Sequence, residues 1–226
     1  MEFLPIDKQE VLRYLGYQGQ KIDAGLDEMI DSCIQQCQAS SIPRYCYQIF
    51  DCHPEDDCIV LEHTSLRLKG NSIYEHLKDA KRVAVMAATL GAAFEKQIQV
   101  AEKMSMTKAL VLDSCGTEYI EKVCDTIEEE IKQIAAREGY TTNFRFSPGY
   151  GDMPLEQQPE IIRLLDTSRK IGLTCTPTLI MLPRKSVTAL IGFLPQGQQQ
   201  EKAKPCDICQ FRETCKLRKE GRTCGR

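Results

Sequence analysis

The chain has 226 residues, a formal net charge of −3 with both signs interspersed, and 12 cysteines, so it is long enough to bury a sizeable core in one large or two small domains. No basic stripe points to nucleic acid or an anionic membrane, and no apolar run approaches the ~18 residues that a bilayer span needs. Residues 1–5 lack the basic start and apolar core of a signal peptide, so a soluble cytoplasmic protein is expected.

Residues 8 to 17 read as a short helix ending near Gly16. A longer one follows from about Asp23, with Leu26, Met29, Ile30, Cys33 and Cys37 on one apolar face. Disulfides are disfavoured in the cytoplasm, and Cys33 and Cys37 read as small core residues rather than metal ligands. Tyr45–Ile49, Cys58–Leu61 and Ser65–Leu68 read as strands separated by turn formers, among them Asp51, Pro54, Asp56 and Asp57. Cys46, Cys52, His53 and Cys58 lack a Cys-x-x-Cys knuckle and are not taken as a zinc set. Asn71 or Ser72 is expected to cap a helix running to about Asp79. Arg82 to Gly91 is a nearly continuous apolar run ending in glycine, the pattern of a strand buried on both faces.

Helices are expected from Ala92 to about Met104 and from Thr107 to Arg137. In the second, Ile120, Val123, Cys124, Ile127, Ile131 and Ile134 step at three and four residues. Gly116 costs this helix roughly 1 kcal/mol relative to alanine and would let a backbone or ligand come close. Glu118 and Glu121 follow it. Arg145 to Pro154 packs an arginine, two glycines, two prolines and aromatics into ten residues without a helical or strand period. It reads as a shaped loop with a fixed positive charge at its entrance and exposed backbone amides behind, suited to a carboxylate or phosphate. A helix from Pro159 to Lys170 comes next. Leu179–Leu182 and Val187–Ile191 then read as a hairpin of the main sheet around Pro183, Arg184 and Lys185.

From Pro195 to Lys204 the chain reads as a linker, and beyond it lie Cys206, Cys209, Cys215 and Cys224 among basic residues. A Cys-x-x-Cys pair with two further cysteines can give four thiolates to zinc or an iron–sulfur cluster. The segment has almost no apolar residues with which to fold otherwise.

Arg145, Pro148, Gly149 and Tyr150 spell Arg-x-x-Pro-Gly-Tyr, which resembles the S-adenosylmethionine-binding loop of the activation domain of cobalamin-dependent methionine synthase. The segments Glu160–Leu165, Ile171–Thr174 and Pro183–Thr188 follow in the family's order, and the helix carrying Glu118 fits upstream. The resemblance covers roughly residues 80 to 195 well and the first 80 weakly. It implies an α+β fold, a twisted and mostly antiparallel sheet covered by helices, over residues 1–195; the linker and cysteine-rich metal-binding tail over 196–226 are an addition to the family's domain.

The resemblance further implies that Arg145 clamps the ligand's carboxylate. Glu118 meets its ammonium group, with Glu121 the alternative, and the main chain of Ser147, Gly149 and Tyr150 contacts the rest. Asp7 stands where the family has another ligand-facing aspartate. The family's aromatic near the end of the last strand is missing, and Phe193, two residues away, is the candidate replacement. The implied activity is reactivation of a corrinoid enzyme, a methionine synthase lacking its own activation domain, by reductive methylation of cob(II)alamin. The sequence has no cobalamin-binding Asp-x-His-x-x-Gly, so cobalamin is expected on the partner chain, with a reductant such as a flavodoxin or ferredoxin. If the tail serves a reductive role, an iron–sulfur cluster fits better than zinc. The alternatives are an S-adenosylmethionine sensor without redox work, or a metal-carrying structural protein in which the loop is only a turn.

Overall fold

A computed structural model describes residues 4–17, 19–197, 213–214 and 216–219. Helix α1 (Lys8–Tyr14) is started by Asp7, whose carboxylate accepts from the Gln9 amide at 2.8 Å, and Gly16 follows at φ +86°. Helix α2 (Ala24–Ser40) is capped by Asp23 and buries Ile30, Cys33 and Cys37. Strands β1 (Arg44–Glu55), β2 (Cys58–Leu61) and β3 (Arg67–Lys69) lead to helix α3 (Asn71–Leu77) and strand β4 (Arg82–Thr89). Helices α4 (Ala92–Met104) and α5 (Met106–Arg137) follow, then strand β5 (Tyr140–Thr142). A 3-10 turn at Leu155–Gln157 opens α6 (Gln158–Leu165), and α7 (Thr167–Ile171), β6 (Thr174–Cys175), β7 (Met181–Leu182) and β8 (Ser186–Pro195) complete this part. Beyond residue 197, the one-turn helix α8 (Lys216–Lys219) is described.

The six-stranded sheet has the order β3-β2-β1-β4-β8-β5, and the β1–β2, β2–β3 and β5–β8 pairings are antiparallel. This is the expected α+β architecture. In β4 every residue after Arg82 is buried, as its unbroken apolar sequence requires. Strand β1 runs further than expected, through Asp51 and Pro54. Asp56 at φ +50° and Asp57 make the turn alone, and Pro54 stays in register opposite Ile59.

The expected hairpin of 179–183 with 187–192 does not form. Met181–Leu182 pairs instead with Thr174–Cys175 in a separate two-stranded sheet. Pro183 has no N–H for a ladder, and the Arg184 N–H donates to Glu95 Oε2 at 3.0 Å. The connector is thereby tied to α4 rather than folded into a turn between paired strands. The helix expected from Pro159 to Lys170 is also broken, at Asp166, which adopts φ +52° between α6 and α7.

The chain divides into two compact units interleaved in sequence: residues up to Cys46 with Ala87–Ile127 and Asp166–Val187, and Tyr47–Met86 with Glu128–Leu165 and the residues from Thr188 on. In the first unit, Gln36 of α2 donates to Gln97 of α4 at 2.9 Å. Arg184 Nε donates to the buried Glu95 at 2.6 Å, and Lys185 reaches Asp113 (2.9 Å) and Thr117 (2.8 Å) on α5. Here Gly116 has its explanation, since a Cβ at that position would lie 2.3 Å from Phe94 Cε1. The close approach that Gly116 permits is a core ring's. Gly116→Ala should therefore lower stability by about 1–2 kcal/mol in chemical denaturation, because an overpacking cost of roughly 2–3 kcal/mol outweighs the ~1 kcal/mol helix-propensity gain. A variant as stable as the parent would contradict that packing.

The second unit packs the buried Ile59, Leu61, Leu68, Ile73 and Leu77 against one another and ties α6 to β8 through Gln158 and Thr188 (2.7 Å). Among the described residues, no helix is long and apolar enough to cross a membrane.

Candidate functional site

The second unit holds the Arg145 loop, and β8 sets its entrance. Strand β5 pairs with β8, Thr142 opposite Phe193. The chain then stays on β8: Phe146 and Leu190 exchange both backbone hydrogen bonds, at 2.9 and 2.8 Å. Asn143 is the joint. Its Oδ1 accepts from the Gly192 amide at 2.6 Å, and its Nδ2 donates to the His76 carbonyl at 2.7 Å. Gly192 must be glycine here, since a Cβ would meet Leu77 at 2.8 Å and Asn143 at 2.9 Å.

His76, on the last turn of α3, donates from Nε2 to the Phe144 carbonyl at 2.9 Å, and its ring packs on Phe144 (4.4 Å) and Phe146 (5.1 Å). A carbonyl only accepts, so Nε2 carries the proton. Burial pushes the imidazole pKa down to about 4. With an unfolded value near 6.5, the unfolded chain binds the extra proton between these values. The stability that neutral His76 supplies is full above about pH 6.5, falls as pH drops towards 4, and is flat below. The loss is roughly 3 kcal/mol. His76→Gln should flatten that limb of a stability-versus-pH curve; an unchanged limb would assign it to other groups.

Because Phe146 is buried on one side of this extended segment, Arg145 projects to the other. Its Nη1 lies 3.1 Å from Glu128 Oε2 in the last third of α5, and Lys132, one turn on, holds the other oxygen of Glu128 at 2.8 Å. The guanidinium is thus positioned by a carboxylate that is itself pinned.

After Phe146 the loop closes on itself. The Tyr150 amide donates to the Ser147 carbonyl, the Met153 amide to the Tyr150 carbonyl, and the Gly149 amide to the Met153 carbonyl, each at 3.0 Å. Gly149 (φ +87°) and Gly151 (φ +54°) occupy the left-handed region that these turns need. Two of the amides expected to face a ligand are therefore committed within the loop. Tyr150 is 56% exposed, its ring 6.0 Å from Phe146 in an edge-on arrangement. Asp152 leaves the loop and meets the start of α3, accepting from the Asn71 (2.8 Å) and Ser72 (2.7 Å) amides. This replaces the capping expected from Asn71 or Ser72 themselves. The amide of Ser72, above all, holds the Asp152 carboxyl below the usual carboxylate range.

Arg145, Ser147, Gly149 and Tyr150 thus share one shaped loop. Glu118 belongs to the first unit, where it is fully buried on α5 with Lys122 Nζ 3.7 Å from its Oε1. Asp7 serves as the α1 cap. Phe193 is wholly buried, with Tyr140 (6.1 Å) and Arg82 (5.9 Å) over its ring, and so is a core residue of the second unit. Sequence reasoning missed Glu128, Asp152, His76 and Asn143. The first is hidden in the run Glu128–Glu130, and the others carry no motif.

Of the thiols, Cys33, Cys37 and Cys115 are buried, and desolvation pushes Cys37 up to about 12, as it does Cys52 in the second unit. They behave as small hydrophobes. Among the described residues, no cluster of three or more His, Cys, Asp or Glu could hold a metal ion. Cys206, Cys209, Cys215 and Cys224 lie outside the described residues.

No family model and no curated protein matches the chain. Among solved structures, it is similar to the MetH reactivation domain bound to AdoHcy, with a TM-score of 0.65 and 15% identity over 85% of this chain and 75% of that one. The two share a fold.

Proposed function

We propose that the chain binds S-adenosylmethionine at the Arg145 loop and supports reductive methylation of a corrinoid carried by another protein. The observation that supports this most is the shared fold with a domain whose structure holds AdoHcy, the demethylated form of that ligand. The Arg-x-x-Pro-Gly-Tyr loop, set on a strand of the sheet and pinned at both ends, is what such a ligand would need. Arg145, steadied by Glu128, would share its planar fork with the ligand's carboxylate. The Ser147–Tyr150 backbone would take the remainder of the ligand.

The sulfonium methyl is already activated, so the protein's task is to hold the ligand with that methyl presented outward. No general acid or base is required. The partner's corrinoid supplies the nucleophile once a donor such as a flavodoxin or ferredoxin has delivered one electron, and the C–S bonding pair stays on sulfur, releasing AdoHcy. A methionine synthase lacking its own activation domain is the partner that fits this chemistry.

The test is anaerobic. The full chain is mixed with a cob(II)alamin-loaded corrinoid protein, a one-electron reductant and methyl-labelled S-adenosylmethionine. Label should pass to the corrinoid, and AdoHcy should appear in equal amount. Binding without transfer would favour the sensor reading instead.

A further inference from the structure

Helix α3 holds the candidate ligand loop at both ends. At its last turn, His76 binds the Phe144 carbonyl and accepts, through its own carbonyl, from Asn143, which fixes the chain just before Arg145. At its first turn, the Asn71 and Ser72 amides bind Asp152, which fixes the chain just after Tyr150. The Asp152 amide in turn donates to Ser72 Oγ at 3.4 Å. Contact at this end is close: a Cβ on Gly70, at φ +120°, would stand 3.0 Å from both the Asp152 carbonyl and Met153 Cα.

We propose that Asp152 is a positioning residue for ligand binding, acting through the loop rather than by touching the ligand; this rests on the functional reading above. Of the three bonds that shape the loop, Tyr150 to Ser147 lies between the two anchors, and Gly149 to Met153 and Met153 to Tyr150 close around Asp152 itself. Arg145 is fixed by the first anchor and by Glu128. The Ser147–Tyr150 main chain has Asp152 as its far support. A carboxylate suits this place because its two oxygens each take one orphan amide at a helix start, and the charge opposes the helix dipole. Releasing it frees the loop while Arg145 stays where it is, so the ligand would keep its carboxylate clamp and lose its backbone contacts.

The experiment is calorimetry of AdoHcy binding to the full chain, well below its unfolding temperature, paired with amide exchange. Asp152→Ala should weaken binding about tenfold, the effect of losing charge-assisted hydrogen bonds that order the site. Asp152→Asn keeps one acceptor and should fall between the two, and it carries the measurement if the alanine variant does not fold. Exchange at Gly149, Tyr150 and Met153 should quicken in both variants, while α4 and α5 stay unchanged; a general loss of stability would quicken all of them. AdoHcy binding within twofold of the parent, or unchanged exchange in the loop, overturns the proposal. If the parent itself binds no AdoHcy, the functional reading and the binding role of Asp152 both fall, and loop exchange then decides only whether Asp152 orders the loop.

Discussion

Arg145→Ala is expected to weaken S-adenosylmethionine binding about ten- to a hundredfold, since a hydrogen bond to a charged group contributes on the order of 1.5–3 kcal/mol. The fold should survive the change. Arg145 is partly exposed, and Glu128, its partner, keeps Lys132 at 2.8 Å when the guanidinium is gone. The loop's own turns and its Asp152 and His76 anchors do not pass through the Arg145 side chain. Arg145→Lys should rescue only part of the affinity, because a point charge cannot make the forked pair. Calorimetry on the three proteins decides it, and equal affinities would remove Arg145 from the site.

The second large effect concerns the tail. Cys206, Cys209, Cys215 and Cys224 are expected to bind one metal centre together, and serine at Cys209 and Cys215 should release it completely. Anaerobic protein that is brown and bleaches in air would carry an iron–sulfur cluster; colourless protein with about one equivalent of metal would carry zinc. Because the segment from 196 to 204 is read as a linker, the double variant should still bind S-adenosylmethionine. Normal binding with lost corrinoid methylation would make the tail an electron relay or docking element. Full activity in the metal-free variant would exclude both roles.

What the sequence disclosed, and what it hid, divides by range. Periodicity is local, so α2, α4, α5 and the buried β4 were legible from their own residues. So was the loop, whose glycines and prolines exclude any regular element. Partner choice is not local. Leu179–Leu182 looked like half of a hairpin, but Glu95, about ninety residues upstream, takes the Arg184 amide and turns the segment away. The cap of α3 comes from Asp152, eighty residues downstream. Gly116 marks a point of close approach in the sequence, yet only packing shows that Phe94 fills it. The candidate site residues Arg145, Ser147, Gly149 and Tyr150 are readable as a motif. Glu128 and His76 are not, because a single carboxylate in an acidic run and a single buried imidazole have no signature until their partners are in place.

Whether this chain binds S-adenosylmethionine is decided by equilibrium dialysis of the full chain against the methyl-labelled ligand. Binding should be saturable at about one equivalent per chain and displaced by AdoHcy, as a single ligand site requires. Absence of saturable binding, or binding that AdoHcy does not displace, would contradict the proposed function.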